Sequence, residues 1–220
     1  MSLPAAAPPR HRTLASFVLP VVLGAAVAGV AGGVALHFAF GGRASTPATV
    51  VPSFQGAQSW AAGRRPAPAF ALRDQDGRVV SLASLRGRTV LVTFLDSHCK
   101  QQCPLAGREL GSIVRSLPRA ERPAVLIVSV NPADTARSAR AAAQRWALAG
   151  GWHWLLGPRR RIVSVEHAYG IEVRPAQGDL IHTVALYLVD RRGFERTGYL
   201  FPFLPGFVTH DLRKLGGSPA

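Results

Sequence analysis

The chain has 220 residues, enough for one domain with an added segment or for two small domains. Hydrophobic residues make up 48%, which excludes a disordered chain; two cysteines exclude a disulfide-stapled miniprotein and an all-cysteine zinc cluster. The net charge of +14 is carried almost wholly by arginine, Lys100 and Lys214 being the only lysines, and with so much Ala, Pro and Gly it reads as coding bias. No nucleic-acid-binding motif accompanies it, so no nucleic-acid partner is expected.

The amino terminus is the first element. Leu14 to Phe40 is an uncharged apolar run, longer than the roughly 20 residues a bilayer span needs. Arg10, His11 and Arg12 precede it, and short positive flanks stay cytoplasmic. A cleaved signal peptide has a shorter apolar core, roughly 7–15 residues, and a small-x-small cleavage site. Phe38-Ala39-Phe40 is a poor site, and no polar face marks the run as a helix of a soluble core. The expectation is therefore a basic cytoplasmic segment over 1–13 and a retained transmembrane helix over 14–40. A flexible Gly/Ser/Thr/Ala/Pro tether over 41–66 and an extracytoplasmic domain over 67–220 follow. Val50-Val51 and Trp60 are the docking points the tether offers.

In the outer domain, Phe70–Leu72 and Val79–Val80 read as short strands around the turn Asp74–Gly77. Ser84–Gly87 is a helical turn. Thr89–Leu95 and Ala124–Val130 are continuous apolar runs suited to strands buried on both faces. A helix is predicted from about Cys103 to Leu117, ended by Pro118. A second, capped by Asp134, covers roughly 135–148. Trp152–Leu156 is a strand and 159–168 a helix ending near Gly170. Val184–Val189 and Phe194–Tyr199 form a hairpin through Asp190–Gly193, and Phe207–Leu215 is a last helix. This order gives an α/β sandwich with a central mixed sheet, and it resembles thioredoxin. Order alone does not fix function.

Both cysteines lie in Asp96-Ser97-His98-Cys99-Lys100-Gln101-Gln102-Cys103-Pro104, after a buried strand and at the start of a helix. Spacing of four lets the two sulfurs converge on one face. The helix amino terminus favours anions and is expected to lower the thiol pKa, whereas Asp96 opposes that effect and Lys100 assists it. The carboxyl end of a strand is where α/β sheets bind ligands. The bland alternative is a structural disulfide, but a bridge closing so short a loop stabilises little.

Two thiolates suit soft Cu(I), and an imidazole is a fitting third donor. His11 and His37 belong to the membrane segment or its flank. His153 sits in a strand, His167 and His210 sit in helical patterns, and His98 adjoins Cys99. His182 stands just before the strand Val184–Val189, in a position that faces the cysteines in a thioredoxin-like fold. Its ligand role is set against that of an ordinary structural histidine.

The outer domain resembles the Sco/SenC family of membrane-anchored copper proteins. The matching pieces run in order over most of the domain. They are Phe70-x-Leu72 with Asp74-x-x-Gly77, Leu82-x-x-Leu85-x-Gly87, Phe94 before Cys99-x-x-x-Cys103-Pro104, and Val128-Ser129-Val130-Asn131-Pro132-x-Asp134-Thr135. Trp154-x-Leu156-Gly157, Ala168-Tyr169-Gly170-Ile171, and His182-Thr183 before Tyr187-Leu188-Val189-Asp190-x-x-Gly193 complete the series. The resemblance implies that Cys99, Cys103 and His182 hold copper, as Cu(I), Cu(II) or both. It implies delivery of copper to the binuclear copper site of cytochrome c oxidase, or reduction of that site's cysteines. The partners implied are the oxidase subunit carrying that site and an extracytoplasmic thiol reductant. Departures from the family pattern are Lys100 for a proline, Leu95-Asp96-Ser97 before the first cysteine, and Asn131 for an acid.

The enzymatic alternative is a membrane-anchored thiol–disulfide oxidoreductase that uses Cys99 and Cys103 without metal. Such proteins usually carry CxxC and a cis-proline where His182-Thr183 stands here. A peroxiredoxin would want Pro and Thr where Val92 and Asp96 stand.

Overall fold

The computed structural model describes residues 54–148, 150–176 and 179–217. The expected basic segment 1–13, the expected membrane helix 14–40 and residues 41–53 of the expected tether lie outside the described residues. Among the described residues no helix is long and apolar enough to cross a membrane.

The strands are β1 (Gln58–Ser59), β2 (Ala71–Arg73), β3 (Val79–Ser81), β4 (Val90–Leu95), β5 (Ala124–Ser129), β6 (Trp152–Leu155), β7 (Val173–Ala176), β8 (Asp179–His182), β9 (Ala185–Val189) and β10 (Glu195–Leu200). The α-helices are α1 (Gln102–Ser116), α2 (Ala136–Arg145), α3 (Arg159–Ala168) and α4 (Pro205–Gly217). Six strands form one sheet in the order β1-β10-β9-β4-β5-β6. β4, β5 and β6 run parallel, while β9 is antiparallel to β4, and β10 and β1 extend the antiparallel side. The expected mixed α/β sandwich is the observed one.

The apolar runs explain the centre of the sheet. Every residue of β4 and β5 is buried, so alternation can supply both faces. Leu91, Leu95, Val125 and Ile127 join the core beneath α1, α2 and α4. Val90, Val92, Phe94, Leu126 and Val128 join the opposite core with α3 and the β2–β3 hairpin. Thr93, the polar residue of β4, donates its hydroxyl to the Ala185 carbonyl at 2.8 Å. In α1, Gly107 allows Trp146 to lie against the helix: a Cβ there would stand 2.4 Å from the indole.

Two expectations need correction. The tether does not run to residue 66. Phe54 is buried, β1 pairs with β10, and Arg65 forms an ion pair with buried Glu195. Trp60 docks as anticipated, its amide bonding the Arg196 carbonyl at 2.9 Å. The unpaired edge of β10 captures a segment whose Gly/Ser-rich composition signals a linker. The second correction is the cap of α2. Thr135, not Asp134, caps it, in a capping box with Ser138. Asp134 is turned towards the cysteine segment instead.

Candidate metal centre

β4 ends at Leu95, and the chain turns through 96–100 before entering α1. The parallel neighbour β5 ends beside it, so the loop after β5 faces the turn. That loop pins the turn. The Asp134 carboxylate accepts the Ser97 amide at 3.2 Å and the hydroxyls of Ser97 and Ser129. Its Oδ1 is also 3.0 Å from His98 Nδ1. Asp96 Oδ1 accepts the His98 amide at 2.7 Å and the Asn131 side-chain amide at 2.9 Å. Arg145, at the end of α2, donates to the Ser97 carbonyl. These contacts fix the stretch that presents Cys99.

Cys103 lies in the first turn of α1 and is fully buried; Cys99, on the turn, is half-buried. Neither is in a disulfide. The expected convergence is observed, although Cys99 is outside the helix and reaches Cys103 because the turn folds back. The expected fall in thiol pKa is not observed at Cys103. Its pKa is raised, first by a hydrogen bond with the Cys99 thiol, then by burial, with smaller contributions from the charges of Cys99 and Asp96. A backbone hydrogen bond from Asp96 acts the other way. Burial and thiol pairing outweigh the helix terminus.

His182 reaches this pair from a third direction. It is the last residue of β8, in a two-stranded hairpin outside the main sheet, paired with Val173. The Thr183 amide donates to the Glu172 carbonyl at 3.0 Å and closes the hairpin's base. His182 Nε2 is 3.3 Å from Cys103 Sγ, and Nδ1 is 3.2 Å from the Thr183 carbonyl oxygen. A carbonyl only accepts, so Nδ1 carries a proton, and in the neutral ring that tautomer leaves the Nε2 lone pair facing the thiol. Two sulfurs and one imidazole nitrogen in this arrangement fit soft copper, and the carbonyl fixes the tautomer a ligand needs. Beside them opens a cleft of roughly 420 Å³ lined by Gln101, Gln102, Ala176, Leu180 and Ile181 as well as the three donors.

The structure thus brings Cys99, Cys103 and His182 together. The other described histidines have other partners or places: His153 Nδ1 meets Asp74 at 3.0 Å, His210 Nδ1 meets Asp211 at 3.0 Å, and His167 lies exposed on α3. His11 and His37 lie outside the described residues. Sequence reasoning missed the structural roles of Asn131 and Asp134 at the turn and of the β7–β8 hairpin. The signal for the former was their place directly after β5, at the same sheet edge as the cysteines.

The SCO1/SenC family model matches residues 61–215. The solved structure of Bradyrhizobium japonicum ScoI with copper bound is 25% identical, with a TM-score of 0.60 over 68% of this chain and 99% of that one. BsSco, described as a member of the Sco family of cytochrome c oxidase assembly proteins with a disulfide switch, is 23% identical, with a TM-score of 0.63 over 74% and 99%. Yeast Sco1 with copper bound is 17% identical, with a TM-score of 0.61 over 71% and 91%. Among curated protein sequences, none matches.

Proposed function

The chain belongs to the SCO1/SenC family, and on that premise we propose that it is a membrane-anchored, extracytoplasmic copper-binding protein of cytochrome c oxidase assembly. Cys99 and Cys103 bind copper as thiolates, and His182 Nε2 supplies the third donor. The observation that carries this reading is the imidazole nitrogen 3.3 Å from the Cys103 sulfur, held in the ligand tautomer by Thr183. Copper is cargo: the three-donor set leaves a coordination position free for the receiving site's own ligands. The receiving site is the binuclear copper site of the oxidase, and the apolar run 14–40 holds the domain on the outer face of the membrane. The copper-bound relatives support the choice of metal.

The reduced, mutually hydrogen-bonded thiols favour a second reading on the same residues. The dithiol reduces the cysteines of the receiving site. Cys99 and Cys103 then close to a disulfide, two client thiols form, and an extracytoplasmic thiol reductant restores the pair.

The test is Cu(I) binding by the full-length, fully reduced chain in detergent, beside its Cys99→Ser, Cys103→Ser and His182→Ala variants. The expected result is one Cu(I) per chain, lost in either serine variant and weakened at least tenfold in His182→Ala. Stoichiometric tight binding retained in both serine variants would reject the site. If reduced wild type binds no Cu(I) but reduces a client disulfide equally well with Ala at 182, the second reading takes its place.

A further inference from the structure

A second donor cluster shares the turn with Cys99. His98 Nδ1 is 3.0 Å from Asp134 Oδ1 and 3.7 Å from Asp96 Oδ1, and the three donor atoms lie within 4.8 Å of one another. Zinc bonds of about 2.0–2.2 Å in tetrahedral geometry place neighbouring donors about 3.4 Å apart. The two measured separations bracket that spacing.

An independent observation points to a missing ligand. Asp96 is 1% exposed, yet among the described residues its Oδ2 has no hydrogen-bond partner. That oxygen belongs to the carboxylate whose Oδ1 faces His98. A buried carboxylate oxygen without a donor is costly, and a cation is one of the few groups that satisfies it. The other carboxylate is already fixed by the Ser97 and Ser129 hydroxyls, and its side chain is fully buried. The His98 ring is about half exposed, which gives an ion a route in.

We propose that Asp96, His98 and Asp134 form a second metal site that takes a borderline divalent cation, Zn(II) or Cu(II). One nitrogen and two carboxylate oxygens discriminate against Cu(I), which the thiolates prefer. The two sites thus sort metals by softness, and the second stands whether or not the thiolate site carries copper.

The test deletes the thiolate site from the full-length chain as Cys99→Ser/Cys103→Ser/His182→Ala and titrates that variant with Cu(II). The expected result is one Cu(II) per chain, with electron paramagnetic resonance showing coupling to one imidazole nitrogen. Adding His98→Ala should remove that coupling and weaken binding at least tenfold. The exposed His98 ring can be truncated without opening the core, and an unchanged circular dichroism melt verifies it. Absence of stoichiometric Cu(II), or binding that His98→Ala leaves unchanged, overturns the proposal. Because the copper-delivery reading rests on Cu(I) at the thiols, its failure and this one are separable.

Discussion

Copper affinity should depend steeply on pH, and the slope follows from Cys103. Its thiol is buried and hydrogen-bonded to Cys99, and both effects raise its pKa above the ordinary thiol range. It therefore stays protonated through neutral pH, and binding must expel that proton. Each proton displaced changes the apparent affinity tenfold per pH unit, or about 1.36 kcal/mol. The sign is fixed: acid favours the metal-free thiol, so affinity rises with pH. Between pH 6 and 8 the gain should be at least about 100-fold from Cys103 alone. There should be no plateau, because the raised pKa lies above the window. The assay is anaerobic competition with a chromophoric Cu(I) chelator whose own protonation is known. A flat profile, or one that levels off below pH 8, would mean that Cys103 is already a thiolate in the free protein and would refute the reasoning.

Two stability predictions follow from the same structure. Phe54 is buried beneath Arg196 and Lys214, whose charged groups lie 5.0 and 5.4 Å from its ring. Phe54→Ala should cost about 3 kcal/mol; a loss under about 1 kcal/mol in a denaturant melt would show that the segment before β1 frays without consequence. Burial pushes the Asp74 pKa up, but the hydrogen bond with His153 and the amides of Arg78 and Asp76 together hold it below the ordinary value of 3.8. A lowered folded pKa gives stability that is present above that value and lost as pH falls through the folded one. Asp74→Asn should therefore destabilise the protein at pH 7, and its melting temperature should fall less steeply than wild type below pH 4. Parallel acid limbs for the two proteins would contradict this assignment.

The sequence made the centre of the fold legible because burial there leaves a strong mark. β4 and β5 contact a core on each face, so their runs are apolar without interruption. The meeting of the two cysteines with His182 was legible because thiol and imidazole groups are few and the chain has only two cysteines. What escaped was held by backbone. β1 is two residues pairing with an edge strand, and its side chains are exposed. The β7–β8 hairpin includes Pro175 and pairs only with itself, so it shows no buried stripe. The role of Asp134 was hidden for another reason. Asp before Thr at a helix start reads as a cap, and only the fold shows Thr135 capping while Asp134 reaches the turn.

The composition of the cleft explains why such a site would release metal as well as hold it. The three donors come from separate pieces of chain: a pinned turn, the first turn of α1 and a hairpin that stands apart from the main sheet. Apart from them, the described residues lining the cleft offer two glutamine amides and aliphatic groups. Among these described residues a soft ion would meet no fourth donor that matches it. On the proposed function, an incoming thiolate or imidazole would add to the open position before any bond to Cys99, Cys103 or His182 broke. If the site carries copper as proposed, exchange through an added ligand would avoid a bare two-coordinate state and so ease transfer. A carboxylate in the lining would attract hard cations and resist that exchange. In this fold the buried carboxylates Asp96 and Asp134 bond the turn behind Cys99 instead of lining the cleft.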